Sequence, residues 1–354
     1  MKSVKSLVLA GVMLAGTVSL FFAQAGYKTP QLHAKESHLR NIKQLTFGGE
    51  NAEAYFSADG KQVIFQSKRE PYKCDQIFTM NADGSNVKLV NSGKGRTTCA
   101  YWAPDSQRLI YASTHLGSPD CPPAPDPSMG YVWGLFRSFD IFSAKPDGTD
   151  MKRLTTTDRY DAEGTISPDG KKIVFTSLRS GDLEIWDMNI DGSSPRQLTN
   201  ELGYDGGPWH SQDGQWIVWR AARPTAPADV TAYKTLLDKD MVKPDKLEIY
   251  IMKADGTQKK QLTSNGKANF APYFHPNGKQ VIFASNVNNP NPRSANFDLY
   301  VINRDGTGLE QITFDEGFDG FPMFSPDGKK MIWGSNRNGK TEGETNVFVA
   351  DWIN

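Results

Sequence analysis

Short polar side chains recur at one position of the chain, eight residues before each of six similar turns. They are Asn51, Thr97, Asp161, Asp205, Asn269 and Asp319. Oxygen ligands of this kind suit a hard cation such as Ca²⁺. If the six positions surround one axis, the ring could bind a metal ion through Asp161, Asp205 and Asp319, or a cationic or hydroxyl-rich ligand. Glu53 and Glu163 add carboxylates close by.

A second interpretation of this ring involves no ligand. Short Asp, Asn and Thr side chains also cap backbone groups and hold water in a channel. The sequence leaves both interpretations open, so Ca²⁺ is a candidate cofactor and no cofactor is certain. The Asp-Gly pairs of the turns predict no metal site, because a tight turn needs the positive φ that Gly supplies.

Three cysteines, Cys74, Cys99 and Cys121, fall on the same side of the predicted repeat as this ring. In an oxidising compartment, we expect two of the three to pair. A Cys99–Cys121 bond would tie a long insertion to the strand beside it, and Cys74–Cys99 is the rival pairing. A metal-binding trio is weakly supported, because no CxxC spacing is present and His115 is the nearby histidine.

Sequence motifs of common hydrolases are absent from the chain. It contains no G-x-S-x-G and no H-E-x-x-H, so neither a serine-hydrolase elbow nor a zincin helix is predicted. The 40 basic and 40 acidic residues balance, which gives no reason to expect a nucleic acid as partner. The five histidines are scattered along the chain.

The elements that must position these residues are short strands in a repeated meander. The unit is clearest between Asp161 and Thr199, where Asp169-Gly170 and Asp191-Gly192 mark tight hairpins. It contains four short strands, Thr165–Ile166, Lys172–Thr176, Glu184–Met188 and Arg196–Leu198. A sheet this small cannot bury both of its faces alone, so it needs copies to pack against.

Five further copies of this unit follow one another along the chain. The sixth lacks its fourth strand, whereas a spare strand, Ile42–Thr46, precedes the first copy. Pairing this strand with Asn346–Ala350 would close a ring, and an open solenoid would instead need polar end caps. The sequence therefore predicts an all-β, six-bladed β-propeller of four-stranded antiparallel blades. The predicted blades are residues 51–92, 97–157, 161–201, 205–265, 269–315 and 319–354, the last completed by 40–47.

The repeat carries a recognisable consensus. It reads S-P-D-G-K-x-(I/V/M)-x-(F/W)-x-S-x-R, nearly complete at Ser167–Arg179 and Ser325–Arg337, followed by a strand, D-G and L-T. This pattern resembles the WD40-like (PD40) repeat of the TolB-type propellers. The resemblance implies the propeller fold and points toward assemblies of the cell envelope, although one fold supports many functions. The α/β domain that precedes the propeller in the Tol–Pal member is not expected here.

Three insertions lengthen the loops between the second and third strands of their units. They lie in unit two (residues 116–139), unit four (222–246) and unit five (286–296). Within the second of them, Val230–Val242 is predicted to form a short helix. In a meander these loops share one mouth of the channel, and long loops on a rigid scaffold commonly bind ligands. Tyr131, Trp133 and Phe136 could anchor a partner or fold back onto the propeller.

The N-terminal segment is typical of a secretory signal. Residues 1–25 have a basic start, an apolar middle and the small-x-small end Ala23-Gln24-Ala25. A linker over 26–37 and the propeller over 38–354 follow. We expect cleavage near Ala25, and a retained membrane anchor is the alternative. The mature chain is then expected to be a periplasmic or secreted monomer without a membrane span, which binds a protein or peptide of the envelope. The alternatives are a metal-dependent lyase of sugar acids and a propeller accessory to a separate peptidase.

Overall fold

The computed structural model describes residues 28–289 and 296–353. Within them, six four-stranded antiparallel sheets follow one another along the chain, and the predicted six-bladed β-propeller is confirmed. The predicted signal segment, residues 1–25, lies outside the described residues, as does part of the blade-five insertion.

Each of the first five blades begins at its innermost strand and ends at a two-residue outer strand. Blade one contains β2 (Glu50–Phe56), β3 (Gln62–Lys68), β4 (Gln76–Asn81) and β5 (Lys88–Leu89). Blade two contains β6 (Thr97–Trp102), β7 (Leu109–Ser113), β9 (Asp140–Ala144) and β10 (Lys152–Arg153). Blade three contains β11 (Asp161–Ile166), β12 (Lys172–Ser177), β13 (Glu184–Asn189) and β14 (Arg196–Gln197).

The remaining blades repeat this arrangement. Blade four contains β15 (Asp205–His210), β16 (Trp216–Ala221), β18 (Glu248–Lys253) and β19 (Lys260–Gln261). Blade five contains β20 (Asn269–Phe274), β21 (Gln280–Ser285), β22 (Asp298–Asn303) and β23 (Glu310–Gln311). Blade six contains β24 (Asp319–Phe324), β25 (Lys330–Ser335) and β26 (Asn346–Trp352), and its fourth strand is β1 (Leu39–Gln44).

The ring closes through β1, as the sequence predicts. This strand pairs antiparallel with β26, with Leu39 opposite Trp352 and Gln44 opposite Phe348. The segment before it also packs on the propeller. Glu36 is fully buried and accepts a hydrogen bond from Arg337 Nη2 at 3.1 Å. Residues from both ends of the chain thus hold blade six together.

The Ser-Pro-Asp-Gly turns are held by their own side chains. In blade three, Ser167 Oγ donates to Asp169 Oδ1 at 2.6 Å, and the same oxygen accepts from the backbone N–H of Lys171. Gly170 follows at a φ of 72°. These bonds are local in sequence, which is why the motif predicts the hairpins reliably.

Every innermost strand contains a β-bulge at its centre. In blade three the register shifts between Ala162 and Thr165, and Glu163 between them has a φ of 56°. The equivalent residues of the other blades also have positive φ, and they are Glu53, Cys99, Gly207, Ala271 and Phe321. A bulge re-aims the side chain at its centre, and all six of these residues line one cavity.

Two of the insertions join above one mouth of the channel. The blade-two insertion contains β8 (Trp133–Gly134), and the blade-four insertion contains α1 (Pro227–Leu237) and β17 (Met241–Val242). β8 and β17 pair with each other as a two-stranded sheet, which we call the cap. The predicted helix over Val230–Val242 instead begins at Pro227, a residue suited to a first helical position, and ends before the paired strand. No helix in residues 28–289 and 296–353 is long and apolar enough to cross a bilayer.

Candidate functional site

The predicted polar ring is present but is buried within the blades. All six side chains, those of Asn51, Thr97, Asp161, Asp205, Asn269 and Asp319, are at most 1% exposed. Asp161 accepts from Ser177 Oγ at 2.5 Å and pairs with Arg179 Nη2 at 3.0 Å. Asp319 pairs with Arg337 at 2.7 Å and Asp205 with Arg223 at 2.6 Å. Each carboxylate is therefore engaged by its own blade.

The uncharged members of the ring have equivalent partners. Ser67 Oγ donates to Asn51 at 2.9 Å, Ser285 Oγ donates to Asn269 at 2.7 Å, and Thr97 and Ser113 share a hydrogen bond of 2.9 Å. These bonds join the beginning of an inner strand to the end of the second strand of the same blade. The geometry favours the structural role of the ring over ligand binding.

The structure does not bring Asp161, Asp205 and Asp319 together as a metal site. Among the described residues, no group of three or more His, Cys, Asp or Glu side chains could hold a metal ion. Each of the three carboxylates instead pairs with an arginine that lies two residues past the end of the second strand of its own blade. A separation of 18 residues between Asp and Arg, seen at 161/179, 205/223 and 319/337, is the sequence signal that identifies these pairs.

The side chains that do face the channel axis lie two residues further along each inner strand. The cavity at this level has a volume of about 40 Å³ and is lined by Glu53, Cys99, Glu163, Arg220 and neighbouring residues. Both glutamates are candidates from the sequence, whereas Arg220 is not predicted as a channel residue. The other blades have uncharged residues at its position, which are Gln66, Ala112, Thr176, Ala284 and Gly334. An arginine among these uncharged residues is the signal that could have identified it.

Glu163 is the most constrained group of the cavity. Its carboxylate forms an ion pair with Arg220 and accepts hydrogen bonds from Thr176 Oγ1 at 2.7 Å and from the backbone N–H of Gly207 at 2.9 Å. Arg220 also donates to the hydroxyl of Tyr204. A Cβ at Gly207 would lie 2.0 Å from Arg220 Nη1, so the glycine leaves room for the guanidinium.

Glu53 and Cys99 share the other side of the cavity. The Cys99 thiol donates to Glu53 Oε1 at 3.6 Å. Burial, followed by the nearby charge of Glu163, raises the pKa of Glu53 to about 7. Burial and the carboxylate of Glu53 raise the pKa of the Cys99 thiol well above its ordinary value. At neutral pH the cavity thus holds a protonated thiol beside a carboxyl group that is partly ionised.

An aromatic layer forms the floor of this cavity. Rings of Tyr55, Tyr101, Trp209 and Tyr273 contact one another edge to face, with centroids 4.7 to 6.3 Å apart. They follow the bulge residues along the inner strands of their blades. Below the layer, a second cavity of about 190 Å³ opens toward the Ser-Pro-Asp-Gly turns.

The residues of the predicted partner loop differ in their exposure. Tyr131 is 74% exposed, as an anchor for a partner would be. Trp133 instead packs over Arg220, with 5.1 Å between its ring centroid and the guanidinium carbon, and Phe136 packs against Phe139. The two residues fold back onto the propeller, which is one of the two alternatives that the sequence leaves open.

The disulfide prediction is wrong. Cys74 pairs with Cys121, with their Cα atoms 5.9 Å apart, and Cys99 is free. Both predicted pairings, Cys99–Cys121 and Cys74–Cys99, require the residue that the bulge of β6 turns into the channel. The observed bond ties the blade-two insertion to the loop before β4 of blade one.

Comparisons with known proteins agree with this architecture. A family model described as the TolB beta propeller domain matches residues 243–347. The Tol-Pal system protein TolB of Anaeromyxobacter dehalogenans is 27% identical over 133 residues, which cover 38% of this chain and 26% of that protein. The matched segments span about a third or less of the length of the curated relatives.

Solved structures support the fold over most of the chain. A putative TolB from Agrobacterium tumefaciens has a TM-score of 0.60 at 18% identity and covers 88% of this chain and 97% of that chain. An oligogalacturonate lyase in complex with manganese has a TM-score of 0.53 at 14% identity, with coverages of 92% and 96%. At these identities the likeness shows the fold alone. The chain is thus a six-bladed β-propeller, and its residues 243–347 match the TolB beta propeller domain.

Proposed function

We propose that this protein is a binding propeller of the bacterial cell envelope, which presents its capped mouth to a protein partner. The observation that carries the proposal is the cap itself, because two insertions from different blades pair across the channel mouth. Arg137 of one insertion and Asp240 of the other add an ion pair of 2.8 Å. A preformed surface of this kind binds with little loss of conformational entropy.

Exposed apolar side chains on this face support a protein as the partner. Tyr131 and Leu116 of the blade-two insertion are 74% and 54% exposed, and Leu202, before β15, is 41% exposed. Aromatic and aliphatic anchors of this type supply much of the affinity of protein interfaces. The similarity to Tol-Pal system proteins and the predicted signal in residues 1–25 favour a periplasmic partner.

Site-specific photo-crosslinking in cells tests this proposal. A photoreactive residue at position 131 is expected to label one envelope protein. The matched control is position 190, because Ile190 is also exposed, at 40%, but lies in the turn after β13 on the other face. Equal labelling at both positions, or no labelled envelope protein at position 131, would contradict the proposal. With the partner purified, Tyr131→Ala should weaken binding by about 2 kcal/mol, roughly 30-fold.

A further inference from the structure

The channel cavity contains more negative than positive charge. Its lining residues include two carboxylates, Glu53 and Glu163, and one cationic side chain, Arg220. Glu163 forms the ion pair with Arg220 and accepts two further hydrogen bonds. The carboxylate of Glu53 has a thiol at 3.6 Å as its hydrogen-bond donor, and a thiol is a weak donor. The charge of Glu53 therefore lacks a matched cation.

The shape of the cavity limits what could supply this cation. A volume of about 40 Å³ admits a terminal group of a few heavy atoms rather than a whole molecule. Tyr55, Tyr101 and Trp209 of the aromatic layer line the cavity, as do Phe321 and Ala271. Aromatic faces stabilise a cation and also accommodate the methylene groups that carry it.

The chemistry of the lining favours an ammonium group over a metal ion. Cys99 stays protonated at neutral pH because burial raises its pKa, and a thiol must ionise to bind a metal. The guanidinium of Arg220 faces the same space and would repel a divalent ion. A primary ammonium group carries one charge and three donors, which suits the single carboxylate of Glu53 that has no cation of its own.

We propose that the channel cavity binds a primary ammonium group, with the carboxylate of Glu53 as its charge partner. The group enters from the capped mouth at the end of a flexible methylene chain. A free diamine or a lysine side chain of a protein would supply the same chemistry. The site lies below the surface proposed for partner binding and does not depend on that proposal.

The affinity for the ammonium group should depend on pH. The charges that act on Glu53 are those of Glu163, Arg220 and Asp75, with the Cys99 thiol as its hydrogen-bond donor, and burial has the largest effect on its pKa of about 7. The ammonium group itself stays charged between pH 6 and 8. Since it binds the ionised form of Glu53, its affinity should rise about tenfold over this range.

Calorimetric titration of the purified protein provides the test. The probes are 1,5-diaminopentane and the peptide acetyl-Ala-Lys-Ala-amide, each compared at pH 6 and pH 8, with acetyl-Ala-Gln-Ala-amide as the uncharged control. We expect saturable binding of an amine and a loss of at least tenfold in Glu53→Gln. The matched control is Glu50→Gln, because Glu50 begins the same strand but pairs with Lys68 outside the channel, and this variant should bind normally.

Each outcome decides the proposal. Binding of the diamine alone assigns a free amine as the source, and binding of the lysine peptide alone assigns a protein side chain; both support the site. No saturable binding of either amine at pH 8, up to about 10 mM, would overturn it. So would unchanged affinity in Glu53→Gln, equal binding of the glutamine peptide, or an affinity independent of pH. The pH comparison in the unsubstituted protein remains decisive if Glu53→Gln fails to fold.

Discussion

At the scale of single residues, each inner strand has two neighbouring positions that carry acidic side chains in some blades. A buried Asp at the start of an inner strand pairs with an Arg 18 residues later in blades three, four and six. These carboxylates stabilise the blades. Two residues further, the bulge turns Glu53 and Glu163 toward the axis, where one carboxylate is matched by Arg220 and the other is not. Acidic side chains two residues apart in one strand thus differ in environment: the first is paired within its blade, and the second faces the channel.

Removing one partner of a buried pair should destabilise the protein strongly. In Arg179→Met, the carboxyl group of Asp161, which is 0% exposed, would remain buried without its cation. Breaking such a pair costs about 3–5 kcal/mol. Lys330→Met is the matched control, because the side chains of Lys330 and of its partner Asp351 are 53% and 37% exposed, and its loss should cost less than about 1 kcal/mol. Equal shifts of the urea midpoint in the two variants would contradict this assignment.

At the scale of elements, sequence predicts what is held by local bonds and misses what packing decides. The Asp-Gly turns and the repeat length predict the six blades and their closure, because each hairpin is held by side chains within a few residues of one another. The bulge depends on how six inner strands pack around one axis, which the sequence does not show. The residues predicted to surround the channel therefore lie two positions before those that face it. The path of the blade-two insertion likewise depends on its contacts with blade four, and the cysteine pairing was therefore mispredicted.

The disulfide should stabilise the element that it ties down. Cys74→Ser removes a bond that closes a loop with a sequence separation of 47 residues, and losses of about 2–4 kcal/mol are typical. Because this bond holds the blade-two insertion, protease cleavage within residues 116–139 should also become faster. Cys99→Ser serves as the control, since Cys99 is free. Faster cleavage in both variants would show that the bond does not hold the insertion.

At the scale of the whole molecule, the junctions between blades differ in whether each buried carboxylate has a cation as its partner. Between blades two and three, Asp140 and Asp161 each have an arginine, Arg153 and Arg179. Between blades five and six, Arg337 pairs with Asp319 and Glu36. Asp298 faces this junction with one buried oxygen lacking a hydrogen-bond partner. Burial, and then the charge of Asp319, raise its pKa to about 7.

This imbalance predicts that the propeller loses stability as the pH rises from about 4 to 7. The folded protein keeps a proton on Asp298 after the unfolded chain has released it, so the stabilisation is full below about pH 4 and is lost as the pH approaches 7. Glu184, whose pKa is also raised by burial and by Asp205, acts in the same direction. Each such group contributes a slope of up to about 1.4 kcal/mol per pH unit.

Asp298→Asn should flatten the dependence of the free energy of unfolding on pH between 5 and 7, whereas Glu342→Gln, at an exposed position, should leave it unchanged. The same slope in both variants would mean that other groups set the pH response, and the unequal junctions would then have no part in it.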